Sequence, residues 1–219
     1  MKKKKIQILF ILSWIFILIA LIPSYHGEYT RSIYCDRDSY VCSFYPDWTF
    51  FSYRIYVGNT DDGRNQAYYH FDISRYLNFD IGWIDMDIFL DFSFASKPVD
   101  LGVGITSNNW SEFNITWNDQ PGDVTFIGSY LNDGTPITIP VDENDFTNGE
   151  ITLILYGRGG DSDGYLVGSS REAHSDFYKP RVSFTFEGLD PVIILWILIA
   201  VITISSIVGL TVFLLKRNR

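Results

Sequence analysis

Val192 to Leu215 is an unbroken run of 24 residues without a charged side chain, and no other feature of this 219-residue chain constrains its folding as much. At about 1.5 Å of rise per residue, a helix of that length crosses a hydrocarbon core of about 30 Å with some tilt. Asp190 and Pro191 stand before the run, types suited to a helix N-cap and first helical position. Lys216, Arg217 and Arg219 follow it, and basic residues collect on the cytoplasmic side of a span. A buried core helix would carry a polar face, and none interrupts this run. The reading is one C-terminal transmembrane helix over 191–215 with a cytoplasmic tail of 216–219. Ser205 and Gly209 stand four apart within it, near Thr203 and Ser206. That spacing lets two helix backbones approach, so a weak homo-oligomer through this helix is one expectation and a plain anchor the other.

The opposite end has a matching logic. Lys2 to Lys5 precede an uncharged stretch from Ile6 to Ile22, followed by Pro23, Ser24 and Tyr25. These are the basic and apolar regions of a secretory signal, without a clean small-x-small cleavage site, so 1–27 reads as a signal peptide or an uncleaved signal anchor. The expected location is the cell membrane, single-pass, with residues 28–190 outside. That stretch suits one domain with a substantial core. It holds all 26 acidic residues, whereas seven of the 17 Lys and Arg lie at the two ends. So negative a field disfavours nucleic acid and anionic lipid as partners and suits neutral ligands or divalent cations, or simply keeps the domain soluble. Cys35 and Cys42 are the only cysteines. In an oxidising compartment a Cys35–Cys42 disulfide is the expectation, since a metal site would need a second Cys or His pair.

Within 28–190 the recurrent pattern is alternation with period two, the mark of strands with one face buried. Val99, Leu101, Val103 and Ile105 alternate with Asp100, Gly102, Gly104 and Thr106. Ile84, Met86, Ile88, Leu90 and Phe92 form one face of another strand, and Tyr69, Phe71 and Ile73 oppose Tyr68, His70 and Asp72. Ile151, Leu153 and Leu155, then Val182, Phe184 and Phe186, supply two more. Turn clusters such as Asn59 to Gly63, Asn132-Asp133-Gly134 and Gly157 to Gly164 separate them. The predicted fold is all-β, a two-sheet antiparallel β-sandwich, jelly-roll-like or immunoglobulin-like in strand order, beside the C-terminal transmembrane α-helix and the N-terminal hydrophobic signal helix.

The most specific local pattern runs from Asn109 through Trp110, Glu112, Thr116 and Trp117 to Pro121. With Asp38-Ser39-Tyr40-Val41, Tyr56 to Asn59, His70 to Ser74, and Ser169 to Ala173 leading to Lys179-Pro180-Arg181-Val182, it resembles the DNRLRE domain, also classed as carbohydrate-binding module family 96, of microbial surface proteins. Ser170-Arg171-Glu172 is the nearest fragment to the hexapeptide that names the family. The resemblance covers about 150 residues and implies a β-sandwich serving as an accessory or adhesive module, several members being taken to bind polysaccharide.

Sugar-binding sandwiches stack the apolar faces of pyranose rings on exposed aromatic side chains. Trp48, Trp110 and Tyr165 are the candidates, with Phe50, Phe51, Tyr53 and Tyr178 as further rings, while Trp117 reads as a structural plug. Asp161-Ser162-Asp163-Gly164 looks like a calcium loop or a metal-free turn, so calcium through Asp161 and Asp163 is the one cofactor the sequence suggests. Asp85, Asp87 and Asp91 would join a cation site or form a solvated face. Asn109 and Asn114 open N-glycosylation sequons. The motifs of serine hydrolases, zincins and P-loop enzymes do not occur in the sequence, so the chain is expected not to be an enzyme. Two functions stay open: a module binding polysaccharide or cell-envelope glycan in adhesion, or a structural envelope component making protein–protein contacts without a small ligand. Exposed rings would mark the first, and an open strand edge the second.

Overall fold

The structure is a computed structural model that describes residues 27–50, 52–76, 83–159, 164–188, 196–203 and 205–206. Its strands, in chain order, are β1 (Gly27–Tyr34), β2 (Arg37–Cys42), β3 (Arg54–Thr60), β4 (Gly63–Asp72), β5 (Trp83–Leu90), β6 (Phe92–Ala95), β7 (Val99–Thr106), β8 (Val124–Asn132), β9 (Ile137–Pro140), β10 (Glu150–Gly157), β11 (Tyr165–Ser169) and β12 (Arg181–Gly188). They form two sheets, one ordered β1-β12-β5-β9 and the other β6-β11-β3-β4-β10-β7-β8, with β2 also on β4. Every pairing with a defined register is antiparallel, so the all-β two-sheet sandwich is as predicted. The sheets are unequal, four strands against eight, where a jelly roll divides eight strands between two sheets.

Alternation becomes burial in most of these strands. Val99, Leu101 and Val103 on β7 are buried while Asp100 is exposed. Met86, Ile88 and Leu90 do the same on β5. The predicted continuous strand from Ile84 to Phe92 divides at Asp91, where the chain leaves the four-stranded sheet as β5 and enters the larger one as β6. Ser169 fixes that corner, its amide donating to the Asp91 carbonyl at 3.0 Å and its hydroxyl to Oδ2 at 3.2 Å. Asp85, Asp87 and Asp91 therefore do not share one face.

β4 organises the larger sheet. Its first three residues pair with β3, Asn65 to His70 pair with β2, and Gln66 to Asp72 pair with β10. Tyr69 and Phe71 point into the sandwich, where the Tyr69 hydroxyl donates to the Ser169 carbonyl at 3.4 Å. The opposite face is buried as well, Tyr68 and His70 being as enclosed as their neighbours. Two glycines set the approach of β11. Gly58 has φ +98°, and a Cβ there would lie 2.5 Å from the Gly164 carbonyl oxygen. A Cβ on Gly168 would lie 2.9 Å from the Tyr69 hydroxyl.

The expected disulfide is absent: Cys35 and Cys42 are both free and buried. Cys35 precedes β2 and Cys42 ends it. At about 3.3 Å per residue an extended strand holds its ends far beyond the roughly 7 Å that a disulfide tolerates between Cα atoms. Each thiol instead donates to a carbonyl, Cys35 to Arg37 at 2.9 Å and Cys42 to Asp62 at 3.3 Å.

The chain divides into two compact units, Thr30–Thr185 and the two ends. Among the described residues no helix is long and apolar enough to cross a membrane. Residues 196–203 and 205–206 are helical. The rest of the expected span and the signal segment through residue 26 lie outside the described residues.

Candidate functional site

The loop from Ser107 to Asp123, between β7 and β8, explains why β4 is buried on both faces. It lies over the outer face of the sheet and buries Trp110 and Ile115 against Val41, Tyr68 and Ile154, with Trp117 and Tyr156 packed at the margin. Trp110 is only 9 % exposed. Its indole N–H donates to Thr152 Oγ1 at 3.0 Å, and that hydroxyl donates to Asn108 Oδ1 at 2.8 Å. The Arg37 guanidinium stands 5.5 Å from the indole and donates to the Trp110 carbonyl at 2.7 Å. Gln120 accepts from the Tyr68 hydroxyl at 2.7 Å, and Thr116 Oγ1 accepts from the Asp119 amide at 3.1 Å. The motif residues thus hold a cover over the sheet. Asn118 extends this hold to the next loop, donating from its amide to the Pro46 carbonyl at 3.1 Å and from its side chain to Asp47 at 2.8 Å.

A second tie joins the cover to the β11–β12 loop. Arg171 donates to Glu112 at 2.6 Å, to Glu172 at 2.6 Å and to the Asp36 carbonyl, while its amide donates to Asp38. Ser170 donates to Glu172. Burial, reinforced by the Glu172 and Glu112 carboxylates, pushes Asp38 up to about 7 against the opposing pull of the Arg171 amide and guanidinium. Burial raises Glu112 too. For Glu172, burial is outweighed by the Ser170 hydroxyl and Arg171, which hold it below its ordinary range.

These shifts have a sign that can be measured. An unfolded Asp loses its proton near pH ~4, whereas Asp38 in the fold keeps it to about pH 7. Between those values the folded state binds more protons, so stability falls as pH rises and the loss is complete above Asp38's own titration. Glu112 acts in the same direction, while the contribution of Glu172 is lost only as pH falls through its lowered value. Unfolding by urea at pH 5 and pH 8 is expected to show about 2–4 kcal/mol less stability at pH 8. Asp38→Asn keeps an acceptor for the Arg171 amide and should remove most of that difference. An unchanged pH dependence in the variant would assign it to other groups.

Beyond the cover, aromatic rings make a continuous row. Phe44 and Tyr45 meet edge to face at 5.1 Å, and Tyr45 stacks on Trp48 at 4.8 Å. Tyr45 also meets Phe50 at 6.4 Å, and Phe50 stacks on Tyr40 of β2 at 4.5 Å. From Tyr40 the row continues to Tyr56 of β3 at 5.4 Å, to Tyr165 of β11 at 6.1 Å and to Phe94 of β6 at 5.8 Å. Alternation puts Tyr56 and Tyr165 there, half-buried opposite the buried Ile55, Val57 and Leu166, and the register shift between β6 and β11 turns the exposed Phe94 to the same side. The row crosses the strands rather than following one. Trp48, 61 % exposed, stands at one end and Phe94, 49 % exposed, at the other. Burial raises the Tyr40 hydroxyl to about 12, so it is a neutral donor and acceptor at any physiological pH.

Of the residues singled out from sequence, Trp48 and Tyr165 lie in this row, joined by Phe50, which sequence also flagged. Trp110 is packed beneath the cover and offers no free ring face. Tyr53 is exposed and lies beside His174 at 6.4 Å, and Tyr178 meets Phe177 edge to face at 5.2 Å. Phe51, Asp161 and Asp163 lie outside the described residues. Among the described residues no three His, Cys, Asp or Glu side chains converge to hold a metal ion. Sequence reasoning missed Tyr40, Tyr56 and Phe94. Placement between the buried Ile55 and Val57 carries the signal for Tyr56, whereas Phe94 is in step with the buried Phe92 and Tyr40 with the buried Asp38 and Cys42, so alternation hides them.

The profile of carbohydrate-binding module family 96 matches residues 29–183. No curated protein matches the chain.

Proposed function

The chain belongs to carbohydrate-binding module family 96, and from that premise we propose that its aromatic row is the surface on which it binds polysaccharide. The protein is then a non-catalytic adhesive module, displayed outside the cell and held there by the apolar run 192–215. The observation that carries the reading is the row itself. Its exposed rings Phe44, Trp48 and Phe94 present apolar surface to the C–H faces of sugars, and four half-buried tyrosines between them carry hydroxyls for sugar hydroxyls.

Trp48→Ala is the direct test. It is expected to weaken retention on the cognate polysaccharide about tenfold while leaving the unfolding midpoint nearly unchanged, because an exposed ring contributes to binding rather than to core packing. Retention equal to that of the unaltered protein would remove the row from the site.

The second reading, a structural component that contacts other proteins, has one observation in its favour. β8 ends the larger sheet and carries no charge over its nine residues, with Val124, Phe126 and Leu131 exposed. An open uncharged edge is a template for strand addition. Retention on glycans alongside a strictly monomeric protein would decide for the first reading.

A further inference from the structure

We infer that the row takes an internal stretch of a single twisted polysaccharide chain, rather than a chain end or the flat face of packed chains. This rests on the reading of the row as the glycan surface. A chain end needs a concave pocket with polar groups converging on one sugar. Here the rings are strung out instead, consecutive centroids lying 4.5 to 6.4 Å apart from Trp48 to Phe94. From Tyr56 to Phe94 the spacing follows from the sheet, whose neighbouring strands β3, β11 and β6 are about 4.8 Å apart and each contribute one ring. Tyr40 comes from β2, Tyr56 from β3, Tyr165 from β11 and Phe94 from β6. Such a row makes similar small contacts along its length, so its affinity grows with the number of sugars engaged.

Ring orientation decides between one chain and a packed surface. Tyr40 and Tyr56 are inclined by 55°, Tyr56 and Tyr165 by 38°, and Tyr165 and Phe94 by 45°. Sheet twist, about 20–25° between neighbouring strands, supplies part of this inclination and side-chain rotation the rest. A flat crystalline face would meet only one or two of these rings squarely. One chain, free to rotate at each linkage, can turn its successive sugars to match.

The test uses the full-length protein in mild detergent, with soluble hydroxyethylcellulose, xylan, glucomannan and polyuronate as chains, and crystalline cellulose and chitin particles as flat faces. Retention on at least one soluble chain and none on the particles is expected. Oligosaccharides of the retained polymer should then gain at least about tenfold in affinity from disaccharide to hexasaccharide. Trp48→Ala and Phe94→Ala, at opposite ends of the row, should each weaken the hexasaccharide by a larger factor than the disaccharide. Equal affinity for disaccharide and hexasaccharide, or binding to the particles, would overturn the inference and leave the glycan reading standing. Retention on none of the probes would overturn both.

Discussion

Trp110→Ala is expected to cost about 3–5 kcal/mol of folding stability, the usual loss when a large buried aromatic side chain is deleted. For a domain of this size that lowers the melting temperature by about 10 °C. The indole fills the space between the cover loop and Tyr68, Val41 and Ile154. Its removal also leaves the Thr152 hydroxyl without its donor and Arg37 without the ring 5.5 Å away. Glycan retention per folded molecule should survive, because the indole presents no ring face to solvent. The sequence alone made Trp110 a candidate for stacking on sugar, and burial reverses that expectation. A melting temperature within a degree of the unaltered protein, together with lost retention, would return Trp110 to the binding surface. Trp110→Phe, which keeps most of the ring, should lose much less.

Arg171→Ala is expected to lose about 3 kcal/mol, at the low end for breaking a buried ion pair because the arginine itself is partly exposed. What makes the loss large is what stays behind. Glu112 is 6 % exposed and Asp38 7 %, and without the guanidinium both carboxylates are enclosed beside Glu172 with no cation. One Glu112 oxygen already lacks a hydrogen-bond partner. The cost should be larger at pH 8 than at pH 5, since at low pH the two carboxyls escape the problem by keeping their protons. Replacing both partners, as Arg171→Met with Glu112→Gln, removes the Glu112 charge while leaving that of Asp38, and should recover part of the loss. Urea titrations of the single and double variants at both pH values measure this. A double variant no more stable than Arg171→Ala would mean that Arg171 acts through its contact with the Asp36 carbonyl rather than through Glu112.

The two variants share a physical basis. Trp110 and Glu112 are motif residues, as are Thr116, Trp117 and Pro121, and the structure gives Trp110 and Glu112 the task of closing a cover rather than touching a ligand. Nothing in a linear pattern separates those tasks. A tryptophan flanked by polar residues in a strandless stretch reads the same whether it is presented or packed. What separates them is the outer face of β4, where Tyr68 and His70 need covering, and that need appears only once β2, β4 and β10 are side by side.

Period-two alternation determined the class of this fold, because a strand with one apolar face has to bury it against another sheet. It located β4, β7, β10, β12 and the β5–β6 stretch, with most of the inward residues of β5, β7, β10 and β12. The apolar ends and the acidic centre likewise set expectations about topology without reference to shape. The tertiary structure decided what depends on neighbours distant in the chain. β2 is extended between Cys35 and Cys42, so two cysteines close in sequence cannot meet. Asp91 breaks one predicted strand because a sandwich corner needs a residue that can hold Ser169. The aromatic row is the clearest case: Tyr40, Tyr56, Phe94 and Tyr165 are separated by tens of residues and sit in four different strands. Alternation turns Tyr56 and Tyr165 outward and a bulge in β6 turns Phe94, but only strand order, which no local pattern encodes, brings the four rings together.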